Sequence, residues 1–340
     1  MSKVRRYSYS NARAKRLYAE LLKPSQLEEI MHLKDVSSIL NYIYKTSYSK
    51  YIDAAASRVN QDDKLALIDY AVSLSISDAY RKLRAALPID ILDQYYIIFD
   101  KPDIDNISLM ISSKLYGIDS SIVLRRIIET RNIKMELVRQ IINESNVSSL
   151  IRRLKESIND RFVLRILDSI SNKQDVLIAD QLDSYYYKEL SKLIVRAKSE
   201  DLDTAKLIKY MLEAYNIRIL IRSKLYHISQ ELISSLLIQN AITKGDSLNR
   251  LIAADSIKQL VSNIRSIDLT KALESYEKEN KLYPFEVGID RYIFDKIDKI
   301  LRVKVFSLST IVGYLTLKEY ETALLRYAIG SKIYNIAEQI

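Results

Sequence analysis

The side chains that ordinarily carry catalysis are scarce in this chain. His32 and His227 are its only histidines. They stand far apart, without the helical spacing that puts two imidazoles on one metal. His227 simply occupies the position that Gly117 holds in an internal repeat. No cysteine occurs, which removes disulfides, thiolate ligands and a cysteine nucleophile together. The five glycines, at 117, 245, 288, 313 and 330, never cluster. A loop whose N–H groups cradle phosphate needs several in close succession, and neither GxxxxGK[ST] nor GxGxxG is present. Acidic pairs such as Asp62-Asp63 fit solvated helix starts. The sequence points to no catalytic residue, no cofactor and no metal.

Charge is the chemistry that remains. Lys and Arg number 52 against 43 acids, a formal +9. The excess is spread along the chain, as mixed-sign helix surfaces would give, and a basic face toward anionic lipid or nucleic acid is the sharper reading. Met1 to Leu21 carries Arg5, Arg6, Arg13, Lys15 and Arg16 and no apolar core, unlike a secretory signal. Arg13, Lys15 and Arg16 cluster on one expected helix and are candidates for polar contact with a partner. Arg13 has an internal alternative, pairing with an acid between modules. Lys224 and Lys332 are secondary candidates. The longest uncharged stretch, Val305 to Leu317, is 13 residues and includes Ser307, Ser309 and Thr310. A membrane helix needs about 20 apolar residues, so a soluble or peripheral protein is expected.

The elements that position these residues are helices. Only 5 Gly and 4 Pro serve the 340 residues, too few for the turns of a sheet-rich fold. The apolar fraction, 48%, is ample for a core. Tyr (25) far outnumbers Phe (5), and a ring with a polar tip suits wet helix–helix seams.

One helix is written three times. Asn106 to Ile118 reads NISLMISSKLYGI, and Asn216 to Ile228 reads NIRILIRSKLYHI, with 8 of 13 positions identical and no gap. Leu324 to Ile336, LLRYAIGSKIYNI, is a third copy. Asp103, Glu213 and Glu321 each stand three residues ahead of a copy. Ile107, Ile111, Leu115 and Ile118 recur at helical spacing, as do their counterparts, and form a core stripe. Gly117 stands where a left-handed residue would end the motif helix. Tyr116, Tyr226 and Tyr334 project away from the stripe, toward the surface or toward a neighbouring module. Lys114, Lys224 and Lys332 flank it, where a stem packs while the ammonium reaches water or an acid. A second element recurs in step: Val36-Ser37-Ser38-Ile39 returns as Val147-Ser148-Ser149-Leu150, with a fainter echo from Ile257 to Ile264. The period, near 110, is too long for a common solenoid repeat. Three small helical modules are expected, at 1–130, 131–243 and 244–340.

The stretch Tyr7-Ser8-Tyr9-Ser10-Asn11-Ala12-Arg13-Ala14-Lys15-Arg16, running to Leu21-Leu22, resembles the opening of the C/d family of V-type and archaeal-type rotary ATPase subunits (C in archaea, d in eukaryotes). Asp103-Ile104-Asp105-Asn106-Ile107 is similar to that family's D-I-x-N-L motif. Lys318-Glu319-Tyr320-Glu321, continuing to Leu325-Arg326, resembles its K-E-x-E-x-x-N-L-R motif, and Thr46-x-Tyr48 matches a further family position. Departures are Leu324 for Asn, Gly245-Asp246 for a Gly pair and Ser157-x-Asn159 for a second T-x-Y. The length is closer to archaeal and bacterial members than to eukaryotic ones.

The resemblance implies an all-α fold, with three similar multi-helix modules in a pseudo-threefold funnel. It implies a non-catalytic central-stalk protein that receives the axle subunits (D and F type) and sits on the proteolipid ring, peripheral to the cytoplasmic side of the membrane. The competing reading of the charge, a nucleic-acid-binding or scaffold helical repeat, lacks a dense basic cluster interleaved with aromatics.

Overall fold

The computed structural model describes residues 3–170, 178–280, 282–303 and 306–333, so Tyr334 and Ile336 lie outside the described residues. Among those described there are helices and no strand. The order is α1 (Lys3–Ala19), α2 (Pro24–His32), α3 (Val36–Tyr44), α4 (Ser49–Ala56), α5 (Lys64–Ala86), α6 (Ile89–Phe99) and α7 (Lys101–Tyr116). It continues with α8 (Ser120–Arg126), α9 (Met135–Ile141), α10 (Val147–Ser157), α11 (Arg161–Ile170), α12 (Ile178–Glu200) and α13 (Leu202–Leu225). The remainder is α14 (Gln230–Leu236), α15 (Asp246–Ile252), α16 (Ile257–Asn263), α17 (Thr270–Glu279), α18 (Tyr283–Val303) and α19 (Leu308–Ile333). Three short helices and then a long hairpin form a block that starts at α2, α9 and α15.

The recurring Val-Ser-Ser element marks a helix start. Asp35, Asn146 and Ser256 are the N-caps of α3, α10 and α16, and each side chain accepts the N–H three residues on, from Ser38 (2.7 Å), Ser149 (2.9 Å) and Gln259 (3.2 Å). Such a cap contributes about 1 kcal/mol by satisfying a donor the helix leaves open. Asp63 likewise caps α5, accepting from Ala66 N at 2.9 Å. The motif stripe is core: Ile107, Ile111, Ile217, Ile221, Leu325 and Ile329 are all buried. Tyr116 and Tyr226 lie at the surface, 58% and 67% exposed.

The second long helix of the first block is broken, whereas α13 and α19 run through. Tyr95 leaves helical geometry (φ −124°, ψ 23°), Asp100 stands between the two helices without a side-chain capping bond, and Pro102 lies in the first turn of α7. Proline has no N–H and its ring clashes with the carbonyl four residues back, so the helix cannot continue through it.

The chain divides into two compact units, Met1–Leu182 with Tyr314–Gln339 and Asp183–Gly313. In the first, α3, α4, α6 and α8 pack on α5. In the second, α13 packs on α18, which also carries α17.

The motif helices α7 and α13 end in the same turn. Gly117 (φ 65°) and His227 (φ 50°) are left-handed, and the next N–H bonds back to the carbonyl of Ser113 or Ser223, both at 3.0 Å. The left-handed conformation costs a residue with a Cβ about 1–2 kcal/mol, and glycine almost nothing. His227→Gly is therefore expected to raise the melting temperature and Gly117→Ala to lower it, each by about 1 kcal/mol of unfolding free energy in thermal denaturation. Equal effects of the same sign would refute this account of the turn.

Candidate functional site

Each motif helix grips the block that follows it at two points. The acid does so near one end and the lysine near the other, three turns apart and thus on one face. Lys114 Nζ donates to the Ile142 carbonyl behind α9. Lys224 Nζ does the same to Ile252 at the end of α15 (2.7 Å), and Lys332 Nζ to Met31 in the last turn of α2 (3.0 Å). A cation is stabilised there because the last carbonyls of a helix lack partners and carry partial negative charge. Burial holds the Lys224 ammonium below its usual pKa range, opposed by Asp255.

The acids complete the grip. Asp103 accepts from Asn132 Nδ2 (2.7 Å) and from the Thr130 hydroxyl. Glu213 accepts from Thr243 N (2.8 Å), Thr243 Oγ1 (2.5 Å) and Ser266 Oγ (2.5 Å). Glu321 accepts from Leu22 N (2.5 Å) and from Tyr48 Oη (2.7 Å). The third motif helix thus holds residues 22–48 as the other two hold the segments that follow them.

Between acid and lysine, Asn106 and Asn216 work as substitute backbone. Asn106 donates to Ile128 O (2.7 Å) and accepts from Ile128 N (2.9 Å); Asn216 makes the same pair with Ile238 (2.8 and 2.9 Å). Both isoleucines sit beyond a helix end, where their buried amides would otherwise be unpaired. The position matching Ile128, one 111-residue offset earlier, is Leu17 inside α1, where the helix already occupies those groups.

The third grip is the most charged. Lys318 is 5% and Glu321 2% exposed, and their Nζ–Oε1 separation is 2.5 Å. Lys318 Nζ also reaches Tyr48 Oη (3.0 Å) and lies over the Tyr48 ring, 4.4 Å from its centroid. Burial and the adjacent Glu321 carboxylate push the Tyr48 phenol well above its usual range, so it stays a neutral donor. Thr46-x-Tyr48 and Lys318-x-x-Glu321 were visible in the sequence as separate motifs, but only the fold brings them together.

Arginines of the repeat anchor the long helices; Arg218 and Arg222 were not singled out in the sequence, whereas Arg326 belongs to a family-like motif. Arg218 on α13 reaches Glu286 (2.7 Å) and Asp290 one turn apart on α18, and Arg222 adds a second bond to Glu286 (2.8 Å). Burial would push the Glu286 carboxyl up, but Arg218 and Arg222 outweigh it and hold it low. Arg326, the matching motif residue, donates instead to Ser73 (2.8 Å) on α5. Their shared place after Asn-Ile or Leu-Leu in the repeat was the available signal.

Of the sequence candidates Arg13, Lys15 and Arg16 share α1, Lys332 lies in the same unit and Lys224 in the other. Arg13 donates to Tyr9 Oη on its own helix (2.8 Å) rather than to an acid of another module. Lys15 is half-buried on α1, and the Arg16 side chain is 83% exposed beside Glu20 (3.7 Å). Lys224 and Lys332 each commit one donor to the grip, which leaves an ammonium two more. Among the described residues no group of His, Asp or Glu is arranged to hold a metal.

A cavity of about 470 Å³ in the first unit is lined by Arg84, Arg131, Arg161 and Arg165 with Asp100 and Asp160. Burial, with repulsion from Asp160 and Asp103, pushes the Asp100 carboxyl up to about 7, against Arg84 at 3.2 Å.

Residues 10–340 match the profile of the family described as ATP synthase (C/AC39) subunit. The chain belongs to that family. It is 23% identical over 336 residues to the C subunit of the A-type ATP synthase of Methanocaldococcus jannaschii, a match covering 97% of this chain and 84% of that one. Its likeness to the A-type ATP synthase C subunit of Thermoplasma volcanium is 22% over 344 residues, covering 98% and 96%. The corresponding protein of Pyrococcus horikoshii is 23% identical over 326 residues, covering 94% and 85%. In this C/AC39 member the polar residues of the motif serve contacts within the chain.

Removing one partner of a buried ion pair strands the other. Glu321→Gln is expected to cost about 3–5 kcal/mol in denaturant unfolding, while Arg16→Ala at the exposed pair costs under about 0.5 kcal/mol. Comparable losses would show that the Glu321 cluster carries no special share. A second expectation concerns pH. The folded pKa of Asp100 lies above its unfolded value of roughly 4, so between about pH 4 and 7 the folded chain binds more protons and this group adds stability as pH falls. The melting temperature of the parent chain should therefore gain on that of Asp100→Asn as pH drops from about 8 to 5. A constant gap would mean Asp100 stays charged throughout.

Proposed function

We propose that this chain is the non-catalytic central-stalk component of a V/A-type proton- or sodium-translocating ATPase. It is a socket that takes the axle subunits (D and F type) and transmits their rotation to the proteolipid ring. It works at the cytoplasmic surface of the membrane, without spanning it. The observation that carries this reading is the match over nearly the whole chain to proteins named as the C subunit of A-type ATP synthases. Among the described residues no helix is long and apolar enough to cross a membrane, which suits a peripheral seat.

The pattern of grips supports three similar modules in a pseudo-threefold funnel. Lysine-to-carbonyl bonds run from the first block to the second, from the second to the third, and from the third to the first. A body that carries torque between an axle and a ring needs stiffness more than chemistry. Close-packed helices tied by buried hydrogen bonds supply it. Arg13, Lys15 and Arg16 are the proposed polar contacts to the partners, with Lys224 and Lys332 as lesser ones through their remaining donors.

Reconstitution tests the reading. The full chain is expected to co-purify with the axle subunits and the ring from detergent extract and to bind no ATP by itself. Arg13→Glu, Lys15→Glu and Arg16→Glu together should weaken one of the two associations at least about tenfold at physiological salt, with helicity and melting unchanged. Failure of the parent chain to join either partner overturns the assignment. Full retention by the triple variant overturns the sites alone.

A further inference from the structure

The entry to α15 carries a concavity that the grips do not account for. Wholly within the second unit, a cavity of about 440 Å³ is lined by three cations, Lys244, Arg250 and Arg265, and among the described residues by no carboxylate. All three cations are exposed. A single unpaired surface cation is ordinary. Three on one cavity repel one another and concentrate positive potential there, which an anion relieves.

Local structure sets them around the cavity. Gly245, the N-cap of α15, has a backbone (φ 57°, ψ −138°) that a side chain would strain. Ser247 and Arg250 follow on one face of that helix. Asn263 ends α16, and Arg265 stands just beyond it. Arg250 donates to Ser247 Oγ (3.3 Å), and that hydroxyl keeps its own hydrogen. Among the described residues Lys244 and Arg265 meet no carboxylate. By contrast Lys155, at the same step from the start of α10 as Arg265 from that of α16, pairs with Asp168 (2.6 Å). The acids nearby in sequence are placed elsewhere: Asp268 accepts from Thr270 N (3.0 Å) and Oγ1 (2.8 Å), and Asp246 does not line the cavity.

The back wall is polar and fixed. Thr243 and Ser266 spend their hydroxyl hydrogens on Glu213, whose buried carboxylate also takes Thr243 N. One buried negative charge behind three cations leaves an excess of two. Among the described residues no aromatic ring lines the cavity, so nothing there stacks on a base.

We propose that this cavity binds the dianionic phosphoryl group of a small soluble molecule, free phosphate or a compact phosphate ester, on Lys244, Arg250 and Arg265. Guanidinium forks and an ammonium meet phosphate oxygens with charge-assisted hydrogen bonds, and Ser247 and the Asn263 amide add neutral donors. The volume falls within the range of small-ligand pockets, about 300–1,000 Å³, and leaves room beside one phosphate for a small ester body. The inference goes beyond the coupler reading and does not rest on it, since the chain is tested without axle or ring.

Isothermal titration calorimetry of the full chain near neutral pH tests it. Inorganic phosphate is expected to bind at one site per chain with a Kd of about 1 mM or tighter, over a background of chloride at equal ionic strength. Lys244→Ala, Arg250→Ala and Arg265→Ala together should weaken binding at least about tenfold with unchanged melting, because all three side chains are exposed. Arg153→Ala with Lys155→Ala, which removes paired cations of α10, should retain it. Glycerol phosphate separates the two sources: tighter binding than phosphate identifies an ester as the occupant, and equal or weaker binding the free ion. Three results overturn the proposal: no saturable phosphate binding by the parent chain, parent-like binding by the triple variant, or an equal loss in the α10 variant.

Discussion

A carboxylate and a lysine, three turns apart on one helix face, hold the rest of this fold in place. The pair recurs as Asp103 with Lys114, Glu213 with Lys224 and Glu321 with Lys332. In each case the acid takes hydrogens from the segment entering the next block, and the lysine closes the carbonyl end of that block's first helix. Short helices of 7 to 9 residues such as α2, α9 and α15 are too short to persist alone in water. They are ordered because their otherwise open ends are met by charge from a long helix behind them.

The same rule explains where the three copies differ. Asparagine stands at 106 and 216, where it pairs with the buried backbone of Ile128 and Ile238, and is replaced at Leu324. The arginine keeps two acids on α18 in the second copy. In the third it meets Ser73 on α5, while Asp69, wholly buried one turn earlier, is held by Arg125 (3.2 Å) and Arg126 (3.3 Å). A repeat of this kind conserves the satisfaction of a polar group rather than the residue that achieves it.

Much of this was legible in the sequence, and the limits have physical causes. The helical class followed from the shortage of Gly and Pro, the motif stripe from its spacing, and the left-handed turn from Gly117 and its substitute His227. The Val-Ser-Ser echo marked α3, α10 and α16 because a capping residue must precede a helix start by a fixed step. The partners of the motif lysines were not legible, since a backbone carbonyl at a helix end leaves no trace in residue type. Nor was the Lys318, Glu321 and Tyr48 cluster, whose members come from stretches that no local pattern connects. The sites expected on Arg13, Lys15 and Arg16 rest on charge and on their clustering in one family-like helix, and such features do not name a partner.

The bond from Leu22 N to Glu321 spans 299 residues of chain. During synthesis at about 5–20 residues per second, the first residues of that seam wait on the order of 15–60 s for the helix that will close it. Until then Tyr48 has neither its carboxylate nor its lysine, and α2 has an uncapped carbonyl end. The seam can form only after the last long helix has been made. Stalled or truncated chains expose an unfinished edge there, one that a chaperone, or the tail of another copy in a domain swap, is placed to occupy.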